Sequence, residues 1–247
     1  MSQDAGTARE PVPGFAELGL LAFTTTRHAG TFGTQGSEPV HEVMGRWSAL
    51  RESFGAKVGR LATAQQVHGN DVLVHEAGWT GWLRGPAADG HATRTPGTAM
   101  AVTVADCVPV FLAHPGGPAA LLHSGWRGTE SRIVERGLDA MQRLGANVDE
   151  IRIHLGPAIC GRCYEVSAEV HGRLTGRSVD GPTPVDLRAL IAGHATARGV
   201  RRITVSEWCT RCHNDRFFSH RAGDTGRQLG VLVLGNPDQF TSWVDAP

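Results

Sequence analysis

Five short runs rich in β-forming residues follow one another between residues 61 and 123, and no helical pattern interrupts them. Turn-forming residues separate the runs, and each run has the length of a strand. The runs are Leu61–Val67, Asp71–His75, Ala99–Ala105, Pro109–Ala113 and Ala119–His123. Further strands are predicted at Leu20–Thr26, Ile151–Leu155, Ile203–Ser206 and in the GVLVLG segment near the C-terminus. Sheets built from short strands therefore dominate the predicted fold.

A smaller part of the chain has the spacing of apolar residues that is typical of helices. The predicted helices cover residues 40–54, Thr129–Leu144 and Asp186–Arg198, and a glycine follows each of the last two. Strands and helices do not alternate in the regular βαβ order of a doubly wound sheet. The pattern instead predicts an α+β fold, a single domain in which helices flank mixed β-sheets.

The domain is predicted to cover residues 15–247. Residues 1–14 contain two prolines, and a disordered leader is predicted there. The segment 176–184, GRSVDGPTP, resembles a linker, but a surface loop explains it equally well. No internal repeat and no long linker divides the chain, so one catalytic domain is expected.

Charge and composition exclude several classes of partner. Lys and Arg number 24, as do Asp and Glu, so no net positive field would attract nucleic acid or an anionic membrane. No apolar run is long enough to cross a bilayer, and the first twenty residues lack the apolar core of a signal peptide. These features favour a cytoplasmic protein. In such a reducing compartment the five cysteines are expected to be ligands, nucleophiles or buried thiols rather than disulfides.

Three side chains that can bind a metal ion fall where predicted strands meet turns. His68 lies in QQVHGND, Cys107 in TVADCVPVF and His123 in ALLHSGWRG. Strands hold such side chains rigidly while turns leave room for a substrate. Two imidazoles and one thiolate suit zinc or copper, and three protein ligands leave a fourth position open for chemistry. The alternative is an inert buried thiol and two ordinary strand-end histidines.

Five segments together resemble one known family. In chain order they are QQVHGNDV, AVTVADCVPVFL, LLHSGWRGT, GPAICGRCYEV and CT-x(6)-FFSHRAGDTGRQ. They are similar to the successive motifs of the YfiH-type laccase-domain family, which is also called multicopper polyphenol oxidase-like or peptidoglycan editing factor PgeF. The match extends from about Phe23 to about Leu229. The resemblance implies a YfiH-like fold, which is related to that of certain cysteine hydrolases and deamidases.

The resemblance also implies a metal site and an activity. Its metal-binding residues correspond to His68, Cys107 and His123, which are therefore expected to act in catalysis. Family members have been described as zinc-dependent purine nucleoside phosphorylases with adenosine deaminase activity, and as copper oxidases. The expected partners are inorganic phosphate and a nucleoside: adenosine, inosine or methylthioadenosine. Zn²⁺ is the expected cofactor, copper is the alternative, and the oligomeric state is open.

Phosphorolysis requires groups that hold phosphate and the purine base. Arginine binds phosphate bidentately, although a structural salt bridge is the commoner role of any single arginine. The candidates are Arg27, Arg127 and Arg221 for phosphate, and Gln66 and Tyr164 for the base. Asp106 is a candidate catalytic residue that orients a ligand histidine, or else caps a turn. After Arg27 the chain reads HAGTFGTQGSEPVHEV, which lacks the family's Ser-Leu-Asn segment, so the substrate contacts of this loop are open.

Two other activities are compatible with the same residues. A trinuclear copper cluster draws on histidines in H-x-H pairs, and none of the 12 histidines has that spacing. A single copper ion, with Met100 nearby, could still transfer one electron in a polyphenol oxidoreductase. Alternatively, His123 could activate the Cys107 thiol of a metal-free hydrolase that edits peptidoglycan precursors. A non-enzymatic role in cell-wall assembly is a fourth alternative.

Two C-x-x-C pairs form a second pattern, Cys160 with Cys163 and Cys209 with Cys212. Such pairs are typical of structural zinc sites. Here the two pairs lie farther apart than in a compact zinc ribbon, and GPAIC has the character of a loop that lines the site. The sequence favours four reduced, partly buried thiols, with a structural zinc as the alternative.

Overall fold

The computed structural model describes residues 8–235, which form fourteen strands and five α-helices. The strands are β1 (Arg9–Pro11), β2 (Leu20–Thr25), β3 (Arg60–Gln65), β4 (Val72–His75), β5 (Gly81–Ala87), β6 (Gly90–Thr93), β7 (Thr98–Val104), β8 (Val108–Ala113), β9 (Ala119–Ser124), β10 (Arg152–Leu155), β11 (Glu165–Val166), β12 (Thr183–Pro184), β13 (Arg202–Val205) and β14 (Gln228–Leu234). The helices are α1 (Val40–Ser53), α2 (Trp126–Glu130), α3 (Ile133–Arg143), α4 (Ala168–Thr175) and α5 (Leu187–Ala197). None of these helices has the length and apolar character that a membrane span requires.

Twelve of the strands form two six-stranded sheets. The first has the order β1-β2-β14-β7-β3-β5, and the second has the order β13-β10-β8-β9-β6-β4. Both sheets are mixed: β3 is parallel to β5 and β7 in the first, and β4 is parallel to β6 in the second. Most other neighbours are antiparallel, including β8 with β9. The predicted α+β class with mixed sheets in one domain is confirmed.

Alternating side chains explain how the layers stack. In β7, Met100 and Val102 point into an apolar layer between the two sheets, whereas Ala99 and Ala101 point to the outer face, where α1 packs. Phe111 of β8 enters the same inner layer, and its neighbours in β8 face α3 and α5. The layers therefore follow in the order α1, first sheet, second sheet, and α3 with α5. Met100 is fully buried in the inner layer, so it has the role of a core side chain.

The chain passes from the first sheet to the second at three neighbouring points. β3, β5 and β7 are parallel to one another, so their carboxyl ends lie at one edge of the first sheet. Each is followed in sequence by a strand of the second sheet: β4, β6 and β8. The three connecting turns therefore lie side by side, and they contain residues 66–71, 88–89 and 105–107.

The predicted helix over Thr129–Leu144 is in fact two helices. α2 ends at Glu130 and α3 begins at Ile133, because Arg132 between them has a φ of 61°. This left-handed conformation is uncommon for a residue other than glycine, and it ends the run of helical hydrogen bonds. The local apolar pattern continues across the break and does not reveal it.

Part of the predicted leader is ordered. β1 is an edge strand that pairs antiparallel with β2, with Pro11 opposite Phe23. Ala8 and Val12 on either side of β1 are buried. Over residues 8–14 the structure thus replaces the predicted disordered leader with the edge of a sheet. Residues 1–7, and residues 236–247 of the predicted domain, lie outside the described residues.

Gly137 of α3 shows how closely helix and sheet pack. A Cβ atom at Gly137 would lie 2.7 Å from Cδ1 of Leu122, which is fully buried in β9. We expect Gly137→Ala to lower the free energy of unfolding by about 1–3 kcal/mol, because overpacking outweighs the higher helix propensity of alanine. The matched control is Gly193→Ala in α5, where a Cβ atom would meet nothing within 4 Å. That variant should be stabilised by about 0.5–1 kcal/mol. Urea denaturation measures both changes, and stabilisation of both variants would contradict the packing argument.

Candidate metal centre

The structure brings His68, Cys107 and His123 together. Their ligand atoms all lie within 4.8 Å of one another. His68 lies in the turn after β3, Cys107 in the turn after β7, and His123 in β9. Two of the three side chains are thus delivered by the turns that connect the sheets. His68 is exposed, Cys107 is half-buried and His123 is buried, so the centre opens to solvent on the side of His68.

A buried carboxylate that the sequence analysis did not select holds this centre in place. Asp89, in the turn after β5, accepts hydrogen bonds from the backbone N–H groups of Val67 at 3.1 Å, His68 at 2.9 Å and Gly69 at 2.7 Å. Its Oδ1 also lies 2.8 Å from Nδ1 of His123. Metal-binding histidines commonly donate their second ring N–H to a carboxylate in this way. With Nδ1 donating to Asp89, Nε2 of His123 is free to bind an ion.

No local sequence pattern marks Asp89 as a residue of the candidate centre. It stands alone as an acid in PAADGHAT, a segment of small residues before a strand that the sequence pattern does not predict. Its importance follows from its complete burial and from the groups that it contacts.

Two non-glycine residues at the centre, the ligand His68 and Asp106 beside Cys107, have left-handed backbone conformations. The φ angle is 61° at His68 and 80° at Asp106, and Arg132 is the third such residue in the range 8–235. Conformations of this kind cost about 1–3 kcal/mol and persist where the surroundings impose them. At His68 the constraint comes from the hydrogen bonds to Asp89. The backbone strain is therefore concentrated where the candidate ligands are presented.

Asp106 ties two other loops to the centre. Its carboxylate accepts hydrogen bonds from Oγ1 of Thr210 at 2.6 Å and from the backbone N–H of Arg221 at 2.7 Å. Its backbone carbonyl accepts a third from the N–H of Ile159. The role predicted for Asp106, to orient a ligand histidine, is filled by Asp89. Asp106 instead fixes the loops beside Cys107, where it is buried and bonded at both oxygens.

Gly125 leaves the space that the centre occupies. A Cβ atom there would lie 2.9 Å from Sγ of Cys107 and 3.2 Å from Cδ2 of His68. The φ angle of Gly125 is −83°, which any residue adopts, so space rather than backbone conformation requires glycine here. This explains the first glycine of the HSGWRG segment.

Three of the predicted substrate residues lie beside the centre. The guanidinium group of Arg221 lies over the ring of Tyr164, 5.1 Å from its centroid. Burial and the nearby charge of Cys107 raise the pKa of Tyr164 to about 12, while Arg221 and Arg127 oppose this shift. Tyr164 therefore keeps its proton at neutral pH. Arg127 and Arg221 are both exposed, which leaves two cations next to the candidate centre.

The other two predicted contacts are used inside the protein. Nε2 of Gln66 donates to the carbonyl of Thr103 at 2.8 Å, and Oε1 accepts from the N–H of Thr103 at 2.7 Å. Arg27 forms a 2.6 Å ion pair with Asp224 and lies over the ring of Phe218. Both side chains thus have structural partners, and their contact with a substrate stays a prediction.

The loop that departs from the family pattern borders a different cavity. This cavity of about 410 Å³ is lined by Gly30, Thr31, Gly36, Ser37, Glu38, Phe218, Thr225 and Gly226. None of the three candidate ligands contributes to its lining. The loop therefore shapes a region other than the immediate surroundings of Cys107.

Cys107 and His123 shift each other's pKa in opposite directions. Burial opposes ionisation of Cys107, but His123 and the hydrogen bonds from both histidines outweigh it and lower the pKa of Cys107 to about 6. Burial likewise opposes protonation of His123, but the Cys107 thiolate and Asp89 raise the pKa of His123 to about 9. Cys107 is therefore a thiolate at neutral pH, the form that binds metal ions and attacks electrophiles.

This donor set fits a zinc ion. One thiolate and two imidazole nitrogens, one of them oriented by a buried carboxylate, are typical ligands of catalytic zinc, and they leave one coordination position open. Copper also binds imidazole and thiolate groups.

Comparison with known proteins places the chain in a family. Residues 25–235 match the family model described as multi-copper polyphenol oxidoreductase laccase. The chain belongs to this family. A purine nucleoside phosphorylase of Streptomyces griseus is 36% identical over 210 residues, which cover 82% of this chain and 85% of that protein. An adenosine deaminase of an unknown prokaryotic organism is 39% identical over 157 residues, which cover 58% of each chain.

A solved structure shows the same fold. The crystal structure of the hypothetical protein YfiH of Bacillus licheniformis covers 93% of this chain and 97% of its own, with a TM-score of 0.82 and 24% identity. Together with the family match, this confirms the predicted membership of the YfiH-type laccase-domain family and its fold.

The role of Asp89 can be tested without a substrate. Asp89→Asn removes the charge that holds His123 and the turn at His68, so the affinity of the centre for zinc should fall about 10–100-fold. The measurement is the zinc concentration that protects Cys107 from iodoacetamide, followed by mass spectrometry of the Cys107 peptide. Asp180→Asn, which changes an exposed carboxylate, should protect at the same concentration as the parent protein. Unchanged protection in Asp89→Asn would show that Asp89 does not support the centre.

The ionisation of Cys107 predicts a pH dependence. In protein stripped of metal, the rate of Cys107 alkylation should be constant at neutral pH and fall to half near pH 6, the value at which the thiolate takes up its proton. His123→Ala removes the neighbouring cation, so the midpoint should move upward toward that of an ordinary thiol. Added zinc should suppress alkylation of the parent protein. A midpoint near that of a free cysteine in the parent protein would contradict the proposed pairing.

Proposed function

We propose that this chain is a zinc-dependent purine nucleoside phosphorylase. It would split adenosine or inosine, and methylthioadenosine as a further candidate, with inorganic phosphate, and it would deaminate adenosine as a second activity. The observation that carries the proposal is the convergence of His68, Cys107 and His123 beside two exposed arginines. Relatives that bear both names support the choice of reactions.

The residues around the centre suit the demands of phosphorolysis. Phosphate attacks the sugar carbon, the bond between sugar and base breaks, and the departing base takes up a proton. Arg127 and Arg221 would hold the phosphate through charge-assisted hydrogen bonds. The Tyr164 hydroxyl, which stays protonated, would donate a hydrogen bond to the base. A zinc ion bound by the three ligands would polarise a substrate oxygen or lower the pKa of a bound water.

The ligand inventory speaks against four-electron oxidase chemistry. Within residues 8–235, the groups of three or more potential ligands are the candidate centre and a cluster of four cysteines. Neither is the histidine-rich set that a trinuclear copper cluster needs. A single copper ion bound at the candidate centre is the version of the oxidoreductase alternative that these residues support.

A cysteine hydrolase is the second candidate function, and one specific contact favours it. His123 lies between Cys107 and Asp89, which is the order of groups in a Cys–His–Asp triad. In that case peptidoglycan precursors would be the substrates, and an ion bound to Cys107 would block the nucleophile. Zinc inhibition would thus identify the hydrolase, and zinc dependence would identify the phosphorylase.

The same thiol chemistry supports a cytoplasmic location. All five cysteines are free thiols, of which one is buried, three are half-buried and one is exposed, and thiols persist in a reducing compartment.

The phosphorylase proposal predicts phosphate-dependent release of free base. Zinc-loaded protein should convert inosine or adenosine to base only when phosphate is present, as measured by chromatography. Arg221→Ala should raise the KM for phosphate about tenfold or more, because a charged hydrogen bond contributes about 1.5–3 kcal/mol. Arg51→Ala, which removes an exposed arginine of α1, is the control and should leave the KM unchanged. Base release that is absent, or that is independent of phosphate, would overturn the proposal.

A further inference from the structure

The four cysteines of the two C-x-x-C pairs form a second cluster. Their sulfur atoms all lie within 4.8 Å of one another, and Sγ of Cys163 is 3.4 Å from Sγ of Cys212. In a tetrahedral zinc–thiolate site with Zn–S bonds of about 2.3 Å, the sulfur atoms are about 3.8 Å apart. The cluster therefore already has nearly the dimensions of such a site.

The fold explains why two distant pairs meet. β10 and β13 are parallel neighbours in the second sheet, with Leu155 beside Val205. Because the carboxyl ends of parallel strands lie at the same edge, the loops that follow them run side by side. Each loop carries one pair: Cys160 with Cys163 after β10, and Cys209 with Cys212 after β13. A parallel bridge between Ala158 and Cys209 holds the loops in register.

Backbone N–H groups point at two of the four sulfur atoms, those of Cys160 and Cys209. The N–H groups of Cys160 and Cys212 point at Sγ of Cys209, at 3.3 and 3.4 Å. Sγ of Cys160 in turn receives backbone N–H groups from Arg162 and Cys163. Each pair is thus a tight turn whose first sulfur accepts hydrogen bonds from its own turn. Neutral thiols do not require such donors, whereas thiolates that bind a cation are stabilised by them.

We propose that Cys160, Cys163, Cys209 and Cys212 bind a structural zinc ion, separate from the candidate centre at Cys107. Four protein ligands leave no open position, so this ion would have no part in the reaction. Four sulfur ligands favour zinc over the hard cations magnesium and calcium. The exposed Arg162 and Arg211, one within each C-x-x-C pair, would offset part of the negative charge of four thiolates.

The ion would hold together the loops after β10 and β13, both of which reach the candidate centre. Tyr164, next to Cys163, lies beside Cys107, and Thr210, next to Cys209, donates to the carboxylate of Asp106. Joining the two pairs would fix both of these side chains at once. The sequence favoured four reduced, partly buried thiols, and the geometry favours the alternative, a structural zinc.

The test separates the two sites by removing one at a time. The double variant His68→Ala/His123→Ala lacks the candidate centre, so each chain should still contain about one zinc ion after purification without added metal. Elemental analysis together with native mass spectrometry gives this number directly. Adding Cys163→Ser and Cys212→Ser to that double variant should remove the ion, whereas adding Cys107→Ser to it should leave the ion in place.

Cobalt substitution decides the question without relying on the folding of a cysteine variant. Cobalt loaded into the His68→Ala/His123→Ala protein should show sulfur-to-cobalt charge transfer with the intensity of four thiolates. Zinc-free protein whose mass is lower by two hydrogens would reveal a disulfide and would overturn the proposal. Four free thiols that take up neither zinc nor cobalt would overturn it equally.

Discussion

The buried carboxylate of Asp89 holds the candidate centre together. It lies in the turn between β5 and β6, where the chain passes from the first sheet to the second, and it binds the turn that follows β3. On its other side it binds the ring of His123 in β9. One side chain thereby joins both sheets and orients two of the three candidate ligands. A fully buried acid is costly unless it is well bonded, and here backbone N–H groups and an imidazole satisfy it.

The sequence was most informative where structure and local pattern coincide. β7, β8 and β9 lie within one or two residues of their predicted positions, because strands that are buried on both faces appear as continuous apolar runs. The class of fold, the helix α1 and the three candidate ligands followed from such runs and from the motifs at their ends. Tyr164, Arg127 and Arg221 were also placed beside the centre, on motif resemblance alone.

What the sequence did not reveal depends on contacts between distant segments. β5 contains two glycines and a proline and becomes a strand by pairing with β3. The break at Arg132 and the burial of Asp89 have no local pattern either. The meeting of the two C-x-x-C pairs requires the parallel pairing of β10 with β13, which spacing alone cannot indicate. The bonding of the Gln66 side chain was not visible for the same reason, since its partner Thr103 is on another strand.

Asp106 links the candidate centre to the cluster of four cysteines. It precedes Cys107 directly, and its carboxylate binds the hydroxyl of Thr210, which follows Cys209 directly. A single side-chain hydrogen bond therefore joins the residue before Cys107 to the residue after Cys209. Because Asp106 is held in a left-handed conformation by such contacts, any loosening of the cysteine loops would let that turn relax and would redirect the Cys107 side chain. Oxidation of the four-cysteine cluster would then distort the candidate centre without changing any of its three ligands.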